Sequence, residues 1–201
     1  MISVIDYGMG NLGSVAKALA YLNQPAAVTS DPEEVAAADR LILPGVGAMA
    51  YAVEQLKKRG LDQAIKAYLQ TGKPFLGICL GMQLMFEYSE EGNNRGLGLL
   101  PGVVRRFPAQ PGLKVPHMGW NSLQDSRLDI LPNHEYFYFV HSYYVDPADS
   151  GLTAAWSVHG IPFAAAVADR QILLTQFHPE KSGDAGLRLL ERWASGGEAR
   201  V

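Results

Sequence analysis

The first 80 residues alternate short apolar segments with helical segments, and few folds accommodate this alternation. Apolar segments of three to five residues are predicted as strands at 2–5, 26–29, 41–43 and 74–78. Apolar residues recur at near-helical spacing in 12–22, 48–59 and 61–70, and a short helix is predicted to open at 31–34. Asn11 is expected to cap the first helix. Short apolar strands joined by helices predict a parallel, doubly wound α/β sheet with right-handed crossovers.

From Gly102 onward the pattern changes to strands separated by turn signals. The predicted strands are 103–104, 120–123, 136–140, 153–158, 164–168 and 172–176. We expect this half to be mixed or antiparallel, closed by an amphipathic helix at 183–193 and a frayed tail at 195–201. A length of 201 residues suffices for one sizeable core, so residues 1–201 are predicted to form a single domain.

The composition excludes several classes of function. The net charge is -3, so the chain lacks the basic field that would hold nucleic acid or an anionic membrane surface. No apolar run approaches the roughly 20 residues of a membrane span, and no basic segment precedes Asp6 as in a signal peptide. A single cysteine excludes an internal disulfide framework, and no His or Cys pair has zinc spacing. We therefore expect a cytoplasmic protein without metal or cofactor.

A cysteine elbow follows the fourth predicted strand, in GICLGMQ at 77–83. Its G-x-C-x-G pattern places Cys79 where a nucleophile elbow holds serine, at an abrupt strand-to-helix turn. Such a turn exposes the thiol at the carboxyl edge of the sheet, where open α/β sheets bind ligands. The helix N-terminus stabilises a thiolate, and the Leu80 N–H can donate to an oxyanion. The alternative is a buried structural cysteine, so the interpretation needs a base elsewhere in the chain.

Among the five histidines, His178 is the best candidate for that base. It follows an apolar strand and lies in QFHPE at 176–180. Pro179 favours an extended backbone at His178, and residues two apart in an extended segment share a face. Glu180 can then hold one imidazole nitrogen while the other faces Cys79, as in a nucleophile, base and orienter triad. The alternative is a loop histidine beside a solvated glutamate.

Together, the elbow and the HPE segment resemble the triad-type glutamine amidotransferases. In that family the thiol attacks the side-chain amide of glutamine, ammonia leaves, and water releases glutamate from a thioester. Further segments are similar to the glutaminase subunits of imidazole glycerol phosphate synthases from histidine biosynthesis: DYGMGN at 6–11, LPGVGA at 43–48, VPHMGWN at 115–121, YFVHSY at 138–143 and QFHPEKS at 176–182. The resemblance spans nearly the whole chain. It implies one glutamine amidotransferase domain with a three-layer, flavodoxin-like doubly wound sheet, mainly parallel with antiparallel additions in the C-terminal half.

The resemblance also implies roles for individual residues. Cys79 would be the nucleophile, His178 the general base and acid, and Glu180 its orienter. The implied glutamine site comprises Gly47, Gln83, Glu91, His141, Ser142 and Tyr143. We expect Glu91 to pair with the substrate ammonium, and Gln83 with nearby backbone groups to hold the carboxylate end. For Glu91, a plain solvated loop is the alternative.

The turn at 44–47 is expected to supply a second oxyanion donor beside Leu80, from Val46 or Gly47. One such donor is typically worth about 10²–10³ in rate. Glycines on both sides of Val46 make reorientation of its peptide easy. Our hypothesis is that the free subunit holds this turn unproductively and that partner binding rotates an N–H into the site. The alternative is an ordinary strand-to-helix turn.

The implied partner is a (β/α)₈-barrel cyclase that uses the ammonia. Together the two subunits would form a heterodimer that produces imidazole glycerol phosphate and aminoimidazole-carboxamide ribonucleotide. Ammonia would be protonated in water, so we expect the site to face the barrel through an enclosed passage. The implied contact residues are Asn11, Met118, Trp120, Tyr138 and Lys181. Tyrosine and phenylalanine alternate at 136–139, so one face can fill the core while the other meets the partner; burial of both faces is the alternative.

Other functions remain open at this stage. Amidotransferase subunits that serve anthranilate or aminodeoxychorismate usually carry His where this chain has Met82. The pyridoxal phosphate glutaminase usually has GGES where this chain has GVGA at 45–48. A Cys-His peptidase or chaperone-like hydrolase on the same fold, and a non-catalytic binding module, are the candidates from other classes.

Overall fold

The computed structural model describes residues 1–196, which form thirteen strands and six α-helices. The strands are β1 (Ile2–Ile5), β2 (Ala26–Thr29), β3 (Arg40–Gly45), β4 (Phe75–Cys79), β5 (Phe86–Ser89), β6 (Asn94–Arg95), β7 (Leu100–Arg106), β8 (His117–Ser122), β9 (Tyr136–His141), β10 (Tyr143–Pro147), β11 (Thr153–His159), β12 (Ile161–Asp169) and β13 (Ile172–Thr175). The helices are α1 (Leu12–Tyr21), α2 (Pro32–Ala37), α3 (Met49–Lys58), α4 (Leu61–Gln70), α5 (Leu80–Gln83) and α6 (Gly183–Ala194). Single 3₁₀ turns lie at Ser150–Leu152 and Pro179–Lys181. Among these residues, no helix combines the length and apolar character that a membrane crossing requires.

The central sheet has seven strands in the order β11-β12-β13-β4-β3-β1-β2. The pairs β1–β2, β1–β3, β3–β4 and β4–β13 are parallel, whereas β11–β12 and β12–β13 are antiparallel. Counting only the parallel strands along the chain gives the order 2-1-3-4-5, which is the flavodoxin-like order. The expected doubly wound sheet with antiparallel additions in the C-terminal half is therefore confirmed.

Helices cover both faces of this sheet and make three layers. Alternate residues of a strand point to opposite faces, and β3 shows the consequence. Ile42 belongs to an apolar cluster with residues of α1 and α6, while Leu41 and Leu43 belong to a second cluster with residues of α2, α3 and α4. All three side chains are fully buried. Burial of one such side chain contributes about 1.5–3 kcal/mol, so both faces hold the sheet in place.

Strands between residues 86 and 147 form two smaller sheets. One has the order β10-β7-β5-β6, and the other is the antiparallel pair β8–β9. Three of these strands, β5, β6 and β10, were not predicted. The plain solvated loop that is the alternative for Glu91 does not form, because residues 89–94 include the end of β5 and the start of β6, which pair through Ser89 and Asn94. Gly92 and Asn93 have a left-handed backbone and form the turn between β5 and β6. Only two residues of each strand pair here, and several of them are polar, so the sequence has no apolar pattern that would predict the pairing.

The start of α1 differs from the expectation in one respect. Asn11 occupies the N-cap position, but its side chain makes no capping hydrogen bond. Its Nδ2 atom instead donates to Oε1 of Glu180 at 3.4 Å. Helix α2 opens where a short helix is predicted, and there Asp31 is a true cap: its Oδ1 accepts from the Glu33 N–H at 2.9 Å. Of the predicted tail, residues 197–201 lie outside the described part of the chain.

Candidate active site

The cysteine elbow forms at the junction of β4 and α5. Cys79 ends β4 with φ 54° and ψ -107°, a left-handed backbone that non-glycine residues rarely adopt. Such a conformation costs of order 1–3 kcal/mol and persists only where the surroundings hold it. The expected strained turn at the nucleophile position is therefore present.

Two glycines give the elbow the room that it needs. A Cβ on Gly81 would overlap the carbonyl group of Leu43 on the neighbouring strand. A Cβ on Gly77 would lie 2.7 Å from the Leu174 side chain and 3.0 Å from the Gly81 carbonyl oxygen. Neither glycine has a positive φ, so close packing rather than backbone freedom requires them. The backbone strain is confined to Cys79.

His178 and Glu180 form a buried pair behind the elbow. The His178 Nδ1 atom and the Glu180 Oε1 atom are 2.8 Å apart, and both side chains are 1% exposed. His178 has the predicted extended backbone, with φ -102° and ψ 97°. Its N–H donates to the Tyr138 carbonyl at 2.9 Å, and its carbonyl accepts from the Ser182 hydroxyl at 2.6 Å. Strand β9 and the start of α6 therefore hold the histidine on both sides.

The electrostatic surroundings favour the charged form of His178. Burial lowers the pKa of the imidazole, but interactions with Cys79 and Glu180 outweigh burial and raise the pKa of His178 to about 9. The Nε2 atom is buried and makes no hydrogen bond of regular geometry within residues 1–196. Among the groups that raise the pKa of His178, the Cys79 thiol comes first, and Glu180 follows. A histidine that readily accepts a proton beside a thiol is suited to generate a thiolate.

A cavity of about 390 Å³ opens beside the cysteine and the histidine. Its lining residues are Val46, Gly47, Cys79, Leu80, Gln83, Glu91, Pro116, Val140, His141, Ser142, Tyr143 and His178. Every residue predicted for the oxyanion and glutamine sites lies on this wall. Glu180 is the one predicted active-site residue outside it, since it lies behind His178. Gly47 has φ +92°, so the turn at 44–47 depends on a glycine there.

Hydrogen bonds within the protein restrict what Gln83 can do. Its Nε2 atom donates to the Tyr143 carbonyl at 3.0 Å and to Oε1 of Gln176 at 3.0 Å. An amide nitrogen has two hydrogens, so both are engaged. The Oε1 atom, an acceptor, is the polar atom that remains for a ligand. A carboxylate also only accepts, so the expected contact between Gln83 and the carboxylate end of glutamine does not fit this geometry.

Glu91 reaches the cavity from the turn between β5 and β6. Its Oε2 atom accepts from the Met49 N–H at the start of α3, at 2.9 Å. Its own N–H donates to the Ser89 hydroxyl at 3.1 Å. Glu91 is therefore a positioned carboxylate rather than a side chain on a solvated loop.

A chain of buried hydrogen bonds supports the far wall. The His141 Nδ1 atom lies 2.7 Å from the Tyr143 carbonyl oxygen, and its Nε2 atom lies 3.0 Å from Nδ1 of His117. Burial lowers the pKa of His141 to about 3 and that of His117 to about 4. Both rings are therefore neutral near pH 7. Because a carbonyl only accepts, Nδ1 of His141 carries its hydrogen, and His117 must then donate to Nε2 of His141.

Sequence reasoning gave no role to His117, Gln176 and Val140, which shape the site. His117 was only one of the five candidate histidines, and Gln176 and Val140 appeared only as strand ends and within motifs. Gln176 carried a usable signal, because it stands two residues before His178 in an extended segment and so shares its face. His117 carried no such signal, since its role depends on pairing with His141 across β8 and β9.

The residues predicted to meet a partner cluster on the outer face of β8–β9 and beside it. Met118 is 64% exposed and Trp120 57% exposed, whereas Phe137 and Phe139 are fully buried. Tyr138 is half-buried, pairs with Trp120 across the strands and contacts its ring edge-on, with centroids 6.2 Å apart. The alternation at 136–139 thus separates a core face from an outer face as predicted. Lys181 is exposed in the turn after His178, and Asn11 is partly buried against Glu180.

Known proteins similar to this chain agree with the geometry. A profile of the family described as glutamine amidotransferase class-I matches residues 3–194. The imidazole glycerol phosphate synthase subunit HisH of Microcystis aeruginosa is 50% identical over 196 residues, which cover 94% of this chain and 92% of the relative. The HisH subunit of Desulfitobacterium hafniense (strain DSM 10664 / DCB-2) is 52% identical over 198 residues, covering 96% and 93%. The crystal structure of a glutamine amidotransferase shares the fold, with a TM-score of 0.74 at 19% identity over 97% of this chain and 98% of that one.

Proposed function

We propose that this chain, which belongs to the class-I glutamine amidotransferase family, is the glutaminase subunit of an imidazole glycerol phosphate synthase in histidine biosynthesis. The activity is the hydrolysis of glutamine to glutamate and ammonia. The observation that carries the proposal is the convergence of Cys79 and His178 on one cavity, with Glu180 hydrogen-bonded behind the histidine. We further propose that the enzyme is cytoplasmic and works without metal or cofactor.

In the proposed reaction, His178 takes the proton of the Cys79 thiol. The thiolate attacks the side-chain amide carbon of glutamine, and the oxygen of that amide becomes an oxyanion. Donors for this oxyanion would be the Leu80 N–H and an N–H from Val46 or Gly47. His178 then returns its proton to the leaving nitrogen, so the carbon–nitrogen bond breaks and ammonia departs. Water, deprotonated by His178, breaks the thioester and releases glutamate.

The cavity wall suggests how glutamine is held. Gln83 offers only its Oε1 atom, which can accept from the substrate ammonium. Glu91 supplies a carboxylate that is held in place by the Met49 N–H and can pair with the same ammonium. Gly47, His141, Ser142 and Tyr143 complete the wall. Because His141 is neutral, the carboxylate of the substrate would depend on neutral donors such as backbone N–H groups.

The proposed partner is a (β/α)₈-barrel cyclase, which would bind the outer face of β8–β9. Strand β9 links this face to the chemistry through its backbone. The Tyr138 carbonyl accepts from the His178 N–H at 2.9 Å, and the Val140 carbonyl lies 3.9 Å from the Cys79 sulfur. A partner that contacts Trp120 and Tyr138 would therefore act on the strand that supports both catalytic side chains. This linkage supports the hypothesis that the cyclase activates the glutaminase.

Glutamate release from glutamine, measured with and without the cyclase subunit of a relative and its nucleotide ligand, tests the proposal. We expect stimulation of about 10²-fold or more if an oxyanion donor is completed by the partner. Trp120→Ala should reduce the stimulation and leave the basal rate unchanged. Tyr51→Ala removes another exposed aromatic side chain, on α3, and serves as the matched control. Basal release equal to that of the complex would contradict the activation, and no release in either case would contradict the glutaminase assignment.

A further inference from the structure

The Tyr143 carbonyl determines the orientation of a buried amide pair beside the nucleophile. A carbonyl oxygen only accepts hydrogen bonds, so the atom of Gln83 that lies 3.0 Å from it must be the nitrogen. The same nitrogen lies 3.0 Å from the side-chain amide of Gln176. Two N–H groups cannot bond to each other, so Gln176 must present its oxygen to Gln83. The orientation of Gln176 follows from a backbone atom 33 residues earlier along the chain.

With its oxygen engaged, Gln176 directs its amide nitrogen at the nucleophile. The Nε2 atom lies 3.7 Å from the Cys79 sulfur. Gln176 is completely buried, so water does not compete for this N–H. The Val140 carbonyl lies 3.9 Å from the sulfur and can accept from the neutral thiol. The sulfur therefore has an acceptor for its protonated form and a fixed donor for its charged form.

We propose that Gln176 is a further catalytic residue, whose amide N–H donates to the Cys79 thiolate in the free enzyme and again when the thioester breaks. In the first step the proton of the thiol passes to His178 and leaves negative charge on the sulfur. That charge disappears as the carbon–sulfur bond forms and returns when water adds to the thioester carbon and the carbon–sulfur bond breaks. A donor held at the sulfur favours both charged states.

This role rests on the assignment of Cys79 as nucleophile, but its electrostatic part can be measured without glutamine. Iodoacetamide alkylates thiolates and not thiols, so the rate at which it modifies Cys79 reports the thiolate at each pH. Cys79 is the only cysteine of the chain, so the signal has one source. Glutamate release by the same preparations tests the glutaminase assignment separately.

The decisive variant is Gln176→Leu, which is assayed both alone and in complex with the cyclase. We expect alkylation at pH 7 to be about tenfold slower, and the pH of half-maximal alkylation to rise by about one unit, since one hydrogen bond to a charged group is lost. Glutamate release should fall to a similar degree. The matched control is Thr175→Val, which removes the neighbouring buried hydrogen bond from Thr175 to the Phe177 carbonyl and leaves the sulfur untouched. It should lower stability without moving the pH profile.

A second variant, Gln176→Met, keeps the length and approximate volume of the side chain without an N–H donor or a charge, and it decides the question if Gln176→Leu does not fold. We expect alkylation at pH 7 to be about tenfold slower in this variant as well, because the same hydrogen bond to the sulfur is lost. If Gln176 had only a packing role, this change would leave the pH profile of alkylation where it is. An unaltered pH profile in Gln176→Leu, or in Gln176→Met where the first variant is unfolded, would overturn the inference. Failure of wild-type glutamate release alone would instead overturn the proposed function.

Discussion

The two sides of the cavity are built in different ways. On one side, the elbow and the His178–Glu180 pair each lie within a short sequence motif, and the latter two residues are two positions apart. On the other side, the wall around Tyr143 depends on hydrogen bonds that join Gln83 to Tyr143 across 60 positions and Gln83 to Gln176 across 93. The motifs that carry the reacting groups can therefore be recognised along the chain. The contacts that orient the wall form only when the chain has folded.

The two sides of the cavity therefore have different roles: one carries the reacting groups, and the other orients what surrounds them. On the first side the reactive atoms are held in unusual states: a left-handed backbone at Cys79, and an imidazole at His178 whose pKa is raised to about 9, first by Cys79 and then by Glu180. The far wall contains neutral partners whose hydrogens have one permitted arrangement, set by a carbonyl. Changes on the first side should affect the rate most, and changes on the second should affect orientation and stability.

The largest expected effect comes from Cys79→Gly. It removes the nucleophile, so glutamate release should fall to background, and it also removes the Cβ that makes φ 54° unfavourable. The relief of backbone strain should exceed the entropic cost of a glycine and stabilise the protein by about 1 kcal/mol. Urea unfolding measures the second effect.

Cys79→Ala is the matched control for that experiment. It abolishes activity equally but keeps the Cβ, so it should lack the gain in stability. If the glycine variant is no more stable than the alanine variant, the backbone of the elbow is not strained. The side of the cavity that contains the nucleophile would then differ from the far wall in its reactive groups but not in stored strain.

The next largest effect is expected for Glu180→Gln. The change keeps the shape of the side chain and removes the charge that helps to raise the pKa of His178. The pKa should fall, and the rate should drop by about 10²- to 10⁴-fold, since a neutral amide no longer stabilises the imidazolium. The pH profile of glutamate release measures both.

Asp184→Asn removes an exposed carboxylate from the first turn of α6 and serves as the control for net charge. It should leave both the rate and the profile unchanged. A Glu180→Gln enzyme with the wild-type profile would show that the pair is a packing contact rather than an electrostatic one.

The same division explains what could be predicted from the sequence. The bounds of β1 and α4 coincide with the predicted segments, because their apolar spacing reflects burial on both faces or on one. The bounds of the edge strand β2 also coincide, although Val28 is 46% exposed and only Thr29 is buried. The triad could also be predicted, since a glycine-flanked cysteine and an HPE segment are informative by themselves. Resemblance to a family added the residues of the glutamine site, whereas Pro116 and Val140 of the cavity wall were not predicted.

The supporting elements lacked such signals. Strand β6 has only two residues, and β10 ends in a proline, so neither has a strand pattern long enough to be recognised. The role of His117 depends on the register of β8–β9, and the orientation of Gln176 depends on the Tyr143 carbonyl. Spacing along the chain contains neither fact. Both arise from tertiary pairing.

The smallest expected effect concerns the far wall and its response to acid. Unfolded histidine titrates near pH 6.5, whereas burial lowers the pKa of His117 to about 4 and that of His141 to about 3. Between pH 6.5 and 4 the unfolded chain therefore binds protons that the native protein does not. The stability is fully present above pH 6.5 and should decline as the pH falls through this range. His178 has the opposite shift, so its contribution is complete below pH 6.5 and is lost only as the pH rises through about 9.

His117→Phe tests this sign, because phenylalanine keeps the stacking against Phe139 and His159 but cannot titrate. Its free energy of unfolding at pH 7.5 should be about 1–3 kcal/mol lower, since His141 and Asn121 each lose a hydrogen-bond partner. Its decline between pH 6.5 and 4 should be shallower than that of the wild type, because one of the two depressed histidines is gone. His134→Asn replaces an exposed histidine whose left-handed backbone asparagine tolerates, and it should leave the slope unchanged. If the free energy of unfolding declines equally in His117→Phe and in the wild type between pH 6.5 and 4, protonation of His117 does not destabilise the native protein. The neutral histidines would then not be what fixes the direction of the hydrogen bonds at Tyr143.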